Sequence, residues 1–337
     1  LTKRLELPCY ITEEQLEITR DKIKFKDCCR KYGVPVVKEY KTIEEVNEYP
    51  VIVKPTDRAG SIGISIANNY DELLKAYKYA WDLSVNKRVI IEKYIQNADK
   101  VDFYYLIESG KISLLTSCDT INARNNGTSK VVQSAWLYPE KYLNVFLRKV
   151  NDKITAMIKG MQIQNGCIFF SGFLDKNQNY TFFECGFRLE GAHQYFYTQK
   201  KGPLNFLDIF IYHSLYGNTL NVKRKEVNEN MKCITVNVFA KSGVIAHIKG
   251  TSKIEKMEDC TLSLVHGHVG QQCDDSKAIL DKIYVFAFSN TSAVDICSCV
   301  YLITCQALHS PTFRPHALVK LVLTCIPLDP SFVVDFG

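Results

Sequence analysis

The stretch VIVKPTDRAGSIGISI, Val51 to Ile66, decides how this chain reads. A β-branched run (Val51, Ile52, Val53) ends at Lys54-Pro55, a loop with Gly60, Ser61 and Gly63 follows, and a second apolar run begins. That order predicts strand, flexible loop, strand. Glycine lets the main chain approach closely, so the loop can lay backbone N–H groups against phosphate oxygens. Lys54, at the strand end, adds a fixed positive charge. No Gly-Lys-Ser/Thr closes the loop and no helix pattern follows directly, so this is not a Walker A sequence. Taken alone, the segment fits a plain β-hairpin as well as a phosphate loop.

Three further segments extend the reading. VIIEKYI (Val89 to Ile95) is an apolar strand with Glu92-Lys93 near its end, and TFFECGFRLEG (Thr181 to Gly191) is another that carries Glu184 and Arg188. DKIKFKDCCRKYGVPV (Asp21 to Val36) reads as a helix closed by Gly33 and Pro35. Together, in this order, the four segments resemble the ATP-grasp superfamily of carboxylate–amine ligases. That superfamily includes biotin carboxylase, D-alanine–D-alanine ligase and the carbamoyl-phosphate synthetase large chain. The resemblance runs from about Thr19 to Gly217 and implies an α+β fold of two lobes with nucleotide between them.

Bulk composition is that of an ordinary globular protein. The chain has 337 residues, 46% hydrophobic and 23% charged, with a net charge of +6. No Lys/Arg block marks a nucleic-acid stripe, and no apolar run spans a bilayer, so neither nucleic acid nor membrane is an expected partner. No signal peptide is visible, and the thirteen Cys are odd in number and scattered, often in apolar strands. They read as reduced thiols of a cytoplasmic protein. Neither Cys297, Cys299 and Cys305 nor His266, His268 and Cys273 has zinc spacing.

Along the chain, residues 1–20 read as a linker from a missing N-terminal domain. Residues 21–90 are expected to form the first lobe and 91–221 the second, with a C-terminal β-rich module over 222–337. Thr19 offers a start for the first helix, with Ile23, Cys28 and Cys29 inward. Thr42-Ile43-Glu44-Glu45 has capping-box spacing and predicts a helix through Tyr49. Asn69 to Ser84 predicts an amphipathic helix with Leu73, Leu74, Ala76, Ala80 and Trp81 inward. Strands follow over 89–95, 101–107 and 111–117, then a helix over 142–161. Strands at 167–174 and 180–188 flank a turn at Asn177, and a helix over 206–216 ends at Gly217. Beyond Val222 the pattern turns to strands at 233–239 and 244–248. From about Leu302 the composition shifts, which fits either a C-terminal tail or a translated frameshift or assembly junction.

The resemblance also implies a site. Lys22 and Lys54 match the lysines that reach the α- and β-phosphates, and Gly60, Ser61, Ile62 and Gly63 match the loop that closes over them. Glu92, Lys93, Tyr94 and Ile95 match the adenine-pocket segment, with Lys93 C=O and Ile95 N–H facing the base edge. Asp99 matches the acidic position for the ribose hydroxyls. Glu184 matches the Mg²⁺ ligand and Arg188 the group that binds the transferring phosphate, with Lys54 beside it as a second catalytic cation. The alternative for Glu184 and Arg188 is a structural salt bridge. Two departures thin the metal site. The family motif usually reads Glu-x-Asn-x-Arg, and here Gly186 stands where the Asn would be. A second carboxylate is usual on the preceding strand. A turn centred on Asn177 instead sets Ser171 or its neighbour across from Glu184.

ATP and Mg²⁺ are the implied cofactors, with small-molecule carboxylate and amine substrates and a homodimer as a possible assembly. The leading reading is an ATP-dependent ligase that forms a C–N bond through an acyl-phosphate. The alternatives are a nucleotide-binding ATP-grasp protein without turnover and a structural or interaction protein.

Overall fold

The computed structural model describes residues 3–58, 62–122, 133–191, 195–202, 205–219, 222, 231–239, 243–249, 251–257, 260–273, 282–289 and 304–308. The chain divides into two compact units. One is Leu1–Asp119 with Pro139–Val227, and the other is Thr120–Tyr138 with Asn228–Gly337. The second therefore takes in a stretch well before Val222. Gly60, Ser61 and most of the chain beyond Leu302 lie outside the described residues.

The first unit opens with two helices. Within the stretch read as a linker, Glu13–Arg20 forms helix α1. Thr12 accepts from Gln15 N–H at 3.2 Å and donates its own N–H to the Gln15 side chain at 3.0 Å, a complete capping box. Gln15 is buried and donates to Met161 O at 3.0 Å. Helix α2 (Lys22–Lys31) starts on Asp21 rather than Thr19. The Asp21 carboxylate accepts from Ile23 and Lys24 N–H at 2.9 and 3.0 Å. Phe25 and Cys29 carry its core face, while Ile23 and Cys28 are only half-buried.

The first lobe is an antiparallel sheet of β1 (Glu39–Tyr40), β2 (Val51–Pro55), β3 (Ser65–Ala67) and β4 (Val89–Lys93) in the order β1-β4-β2-β3. Helix α3 (Tyr70–Leu83) covers one face, with Leu73, Ala76 and Ala80 packed near Val51, Val53 and Ile91. Leu74 and Trp81, expected inward, are 43% and 41% exposed, so the apolar stripe is narrower than the sequence suggests. The helix expected over 42–49 does not form. Glu45 instead accepts from Lys41 N–H at 2.8 Å, and the two half-buried side chains that pack on the lobe core, Ile43 and Val46, do not offset the cost of helix nucleation.

The second lobe contains β5 (Asp99–Glu108), β6 (Lys111–Asn122), α4 (Leu143–Lys149), α5 (Asn151–Gly160), β8 (Gly166–Leu174), β9 (Tyr180–Gly186), α6 (Tyr195–Lys201) and α7 (Phe206–Tyr216). Its strands run β6-β5-β8-β9. Ser109 and Gly110 take positive φ at 49° and 78°, the geometry of a tight hairpin turn. The helix expected over 142–161 is broken at Val150 (φ −132°, ψ −34°), where burial of Val150 and the Tyr105–Asn151 hydrogen bond at 2.9 Å override local propensity. The core under this sheet holds Phe103, Phe146, Phe170, Tyr180 and Phe182. It also takes in Phe25 and Cys29, so α2 packs with the second lobe although it precedes the first.

The second unit holds β7 (Gln133–Tyr138), β10 (Cys233–Phe239), β11 (Gly243–Lys249), α8 (Thr251–Glu255), β12 (Cys260–Val265), β13 (Gln272–Cys273), β14 (Lys282–Ser289) and β15 (Thr304–Leu308). Strands β12-β14-β10-β7 run side by side, and β13-β11-β15 form a separate sheet. Strand β7 has no counterpart in the sequence reading. No helix among the described residues is long and apolar enough to cross a membrane.

Candidate nucleotide site

Period-two alternation sorts β5 into two faces. Val101, Phe103 and Tyr105 point into the core, so Lys100, Asp102 and Tyr104 point to the other side. Register then builds a row across three strands, with Asp102 opposite Ser171 and Ser171 opposite Glu184. Ser171 is thus the residue across from Glu184, as the Asn177 turn implies. Its hydroxyl donates to Asp102, which also pairs with Lys100 at 2.7 Å. The Glu184 side chain makes no hydrogen bond or ion pair with the described residues, and neither it nor Arg188 pairs with the other. The structural salt bridge is therefore not formed. Arg188 is exposed, lies 5.3 Å from the Phe169 ring centre and donates to Leu189 O at 2.8 Å.

Gly186 has a steric reason. A Cβ there would come within 2.4 Å of the Phe169 ring, so the aromatic fills the space an Asn side chain would need.

Above this face the lysines gather. Lys22, the first residue of α2, is buried and donates to the carbonyls of Arg58 at 2.9 Å and Thr56 at 3.5 Å. Burial, with the neighbouring Lys54 charge, lowers its pKa, and Glu184, Glu92 and Asp57 oppose that shift. Lys54 is buried, pairs with Glu92 at 2.6 Å and lies 5.4 Å from the Phe183 ring centre. Phe183 stacks on Phe173 at 4.8 Å. Glu92 is only 2% exposed and is held between Lys54 and Lys26. Burial pushes its carboxyl up, but Lys54 and Lys26 together bring it below the ordinary value.

Other expected residues divide. Lys93 N–H donates to Lys38 O at 2.9 Å and Tyr94 N–H to Pro50 O at 3.2 Å, while Ile95 N–H has no backbone partner among the described residues. Gly63 has φ +78°, and a Cβ there would lie 2.8 Å from the Pro55 ring; Ile62 beside it is 55% exposed. Asp99 is not brought to the site. It is exposed, lies opposite Leu174 and shares the sheet face of Val101, opposite to that of Glu184.

The sequence reading missed Lys26, Lys100, Asp102 and Glu190. The signal for two of them was present: in DKVDFYYLIE charges alternate with core residues, which marks a polar face that the fold then buries. Glu190 accepts from the Tyr104 hydroxyl. Burial, with Asp102 adding to it, pushes this carboxyl up to about 7 against the pull of Lys100. No group of three His, Cys, Asp or Glu among the described residues is placed to hold a metal on its own.

Two α+β lobes, with two buried lysines and an unpaired carboxylate between them, define an ATP-grasp protein. The chain belongs to the family described as carbamoyl-phosphate synthase L chain, ATP binding domain, which matches residues 21–196. It is 30% identical over 142 residues to the 2-oxoglutarate carboxylase small subunit of Hydrogenobacter thermophilus. That match covers 37% of this chain and 30% of the relative, so the chain spans under a third of that protein. The fold is also that of two solved structures. One is the biotin carboxylase domain dimer of the same carboxylase in complex with MgADP, ADP and bicarbonate (TM-score 0.67, 18% identity, 86% of this chain and 67% of that one). The other is an L-amino acid ligase from Bacillus licheniformis (TM-score 0.71, 15% identity, 91% and 77%).

Proposed function

We propose that this chain binds ATP and Mg²⁺ between its lobes and serves an ATP-dependent ligase. A substrate carboxylate oxygen attacks the γ-phosphorus, an O–P bond forms, and the bond to the β-phosphate oxygen breaks to release ADP. An amine or similar nucleophile then attacks the acyl-phosphate carbon; the C–N bond forms, phosphate leaves, and the amine gives up a proton. One observation carries this reading: Lys22, Lys54 and the unpaired Glu184 come from three separate segments to one place. Mg²⁺ is commonly held by one or two carboxylates plus substrate phosphates, so Glu184 with the phosphates fits it. The ion, when bound, would neutralise charge on the transferring phosphate. Lys22 and Lys54 would bind and orient the phosphates, Ile95 N–H would meet the adenine edge, and Arg188 would stabilise charge that develops during transfer.

A nucleotide-binding protein without turnover is the second reading, favoured by Ser171 and Gly186 at positions where the family usually carries metal ligands. ADP release, screened against pools of carboxylates and amines, separates the two. Glu184→Gln should abolish stimulated ADP release while part of the ATP affinity survives. Full release in that variant overturns the site. No stimulation of the parent protein by any pool, with ATP bound, favours the second reading. The homodimer and the lobe boundaries at 21–90 and 91–221 remain part of this proposal.

A further inference from the structure

The site lysine that no motif singles out is Lys26. Its side chain is fully buried, and Nζ donates to Val37 O at 3.0 Å. The same Nζ lies 3.4 Å from Glu39 and against Glu92. Glu39 is paired with Arg30 on its outer side, and Glu92 with Lys54 on its inner side. The side chains thus form a row of alternating charge, Arg30, Glu39, Lys26, Glu92, Lys54, from the exposed Arg30 to the buried Lys54. Sheet register explains it: Glu39 and Glu92 are direct partners on β1 and β4, and Lys54 is a diagonal neighbour of Glu92 on β2.

Charge counting among the buried groups gives the row a consequence. Lys26 and Lys54 share the one fully buried carboxylate, Glu92, while Glu39 has Arg30, itself shared with the exposed Asp27, so one lysine charge is left for an incoming anion. Without Lys26, Lys54 is the one ion-pair partner left to Glu92 among the described residues, and a phosphate must compete with a buried carboxylate for it. We propose that Lys26 is a positioning residue for nucleotide binding, acting through Glu92 to keep Lys54 available to phosphate. This rests on the phosphate role of Lys54 under Proposed function.

The probe is inorganic tripolyphosphate, titrated calorimetrically into the full chain, with adenosine in parallel. Lys26→Met should weaken tripolyphosphate binding about tenfold or more and leave adenosine binding nearly unchanged. Glu92→Gln should bind tripolyphosphate at least as well as the parent. Adding Lys26→Met to Glu92→Gln should change the affinity by less than about twofold, because the residue acts through Glu92. That last comparison still decides if the single Lys26→Met chain does not fold. An equal loss in both backgrounds, or equal loss of tripolyphosphate and adenosine binding, overturns the inference. Lys54→Met is the control. If it leaves tripolyphosphate affinity unchanged, the phosphate site itself is misassigned; if it weakens binding while the Lys26 comparisons fail, only this inference falls.

Discussion

At the scale of single residues, Phe169 decides how the site departs from its family. Its ring occupies the space beside Gly186 and lies under Arg188. One aromatic therefore takes the place of a polar side chain and supports the guanidinium that follows. Arg188 has no ion pair among the described residues, so its charge is not spent on Glu184. If it stabilises charge that forms during phosphoryl transfer, Arg188→Ala should lower kcat on the order of a hundredfold or more, with ATP affinity much less affected. If it serves only its contact with Phe169, the loss is a cation–π interaction of about 0.5–1 kcal/mol in stability, with kcat intact. Single-turnover ADP formation and calorimetric ATP titration on the same variant distinguish these outcomes.

At the scale of elements, the β2–loop–β3 segment was legible because its signals are local. β-Branched residues form the strand, and the return of the chain needs glycine. Gly63→Ala puts a Cβ 2.8 Å from Pro55 Cγ at φ +78°, and it should destabilise the chain by roughly 1–3 kcal/mol, read as a lowered urea midpoint. An unchanged midpoint would mean that the loop readily takes another path. Helix α3 and strands β8 and β9 were legible for the same reason, as periodic patterns with clear ends. Lys22 and Lys26 were not equally legible. In KIKFKDCCRK the lysines at 22, 24 and 26 look alike, and a solvated helix face accounts for all of them. Only the docking of α2 against the lobes buries the i, i+4 pair and leaves Lys24 partly exposed. Residues 42–49 fail the other way. Their local capping signal is sound, but only Ile43 and Val46 pack on the lobe core, too little apolar contact to support a helix there. Asp99 and Asp102 show the same limit at the sheet: the acidic position was visible, and its face was fixed by register with β8.

At the scale of the whole molecule, buried Glu140 and half-buried Asp119 give stability a pH dependence. Glu140 accepts from Tyr142 N–H at 2.9 Å and from the Tyr180 hydroxyl at 3.2 Å, and Asp119 accepts from Lys141 N–H at 2.9 Å. Glu140 Oε2 is buried without a hydrogen bond among the described residues. Burial, reinforced by Asp119 and Asp99, pushes Glu140 up to about 7 from an ordinary 4.5. Burial, reinforced by Asp99, pushes Asp119 up to about 6 from 3.8. Both groups hold protons more tightly in the folded chain than in the unfolded one. Below about pH 4 the two states carry the same protons here and no penalty arises. Between about pH 4 and 7 the unfolded chain has lost protons that the folded chain keeps, so these groups make stability fall as pH rises, and the loss levels off above pH 7. Glu140→Gln keeps an acceptor for Tyr180 and Tyr142 and removes the charge. Urea unfolding should find it more stable than the parent by about 1–2 kcal/mol at pH 8, with the gap nearly closed at pH 4.5. A variant less stable than the parent at pH 8 would show that Glu140 is charged and well paired in the fold, and the pH argument would fail.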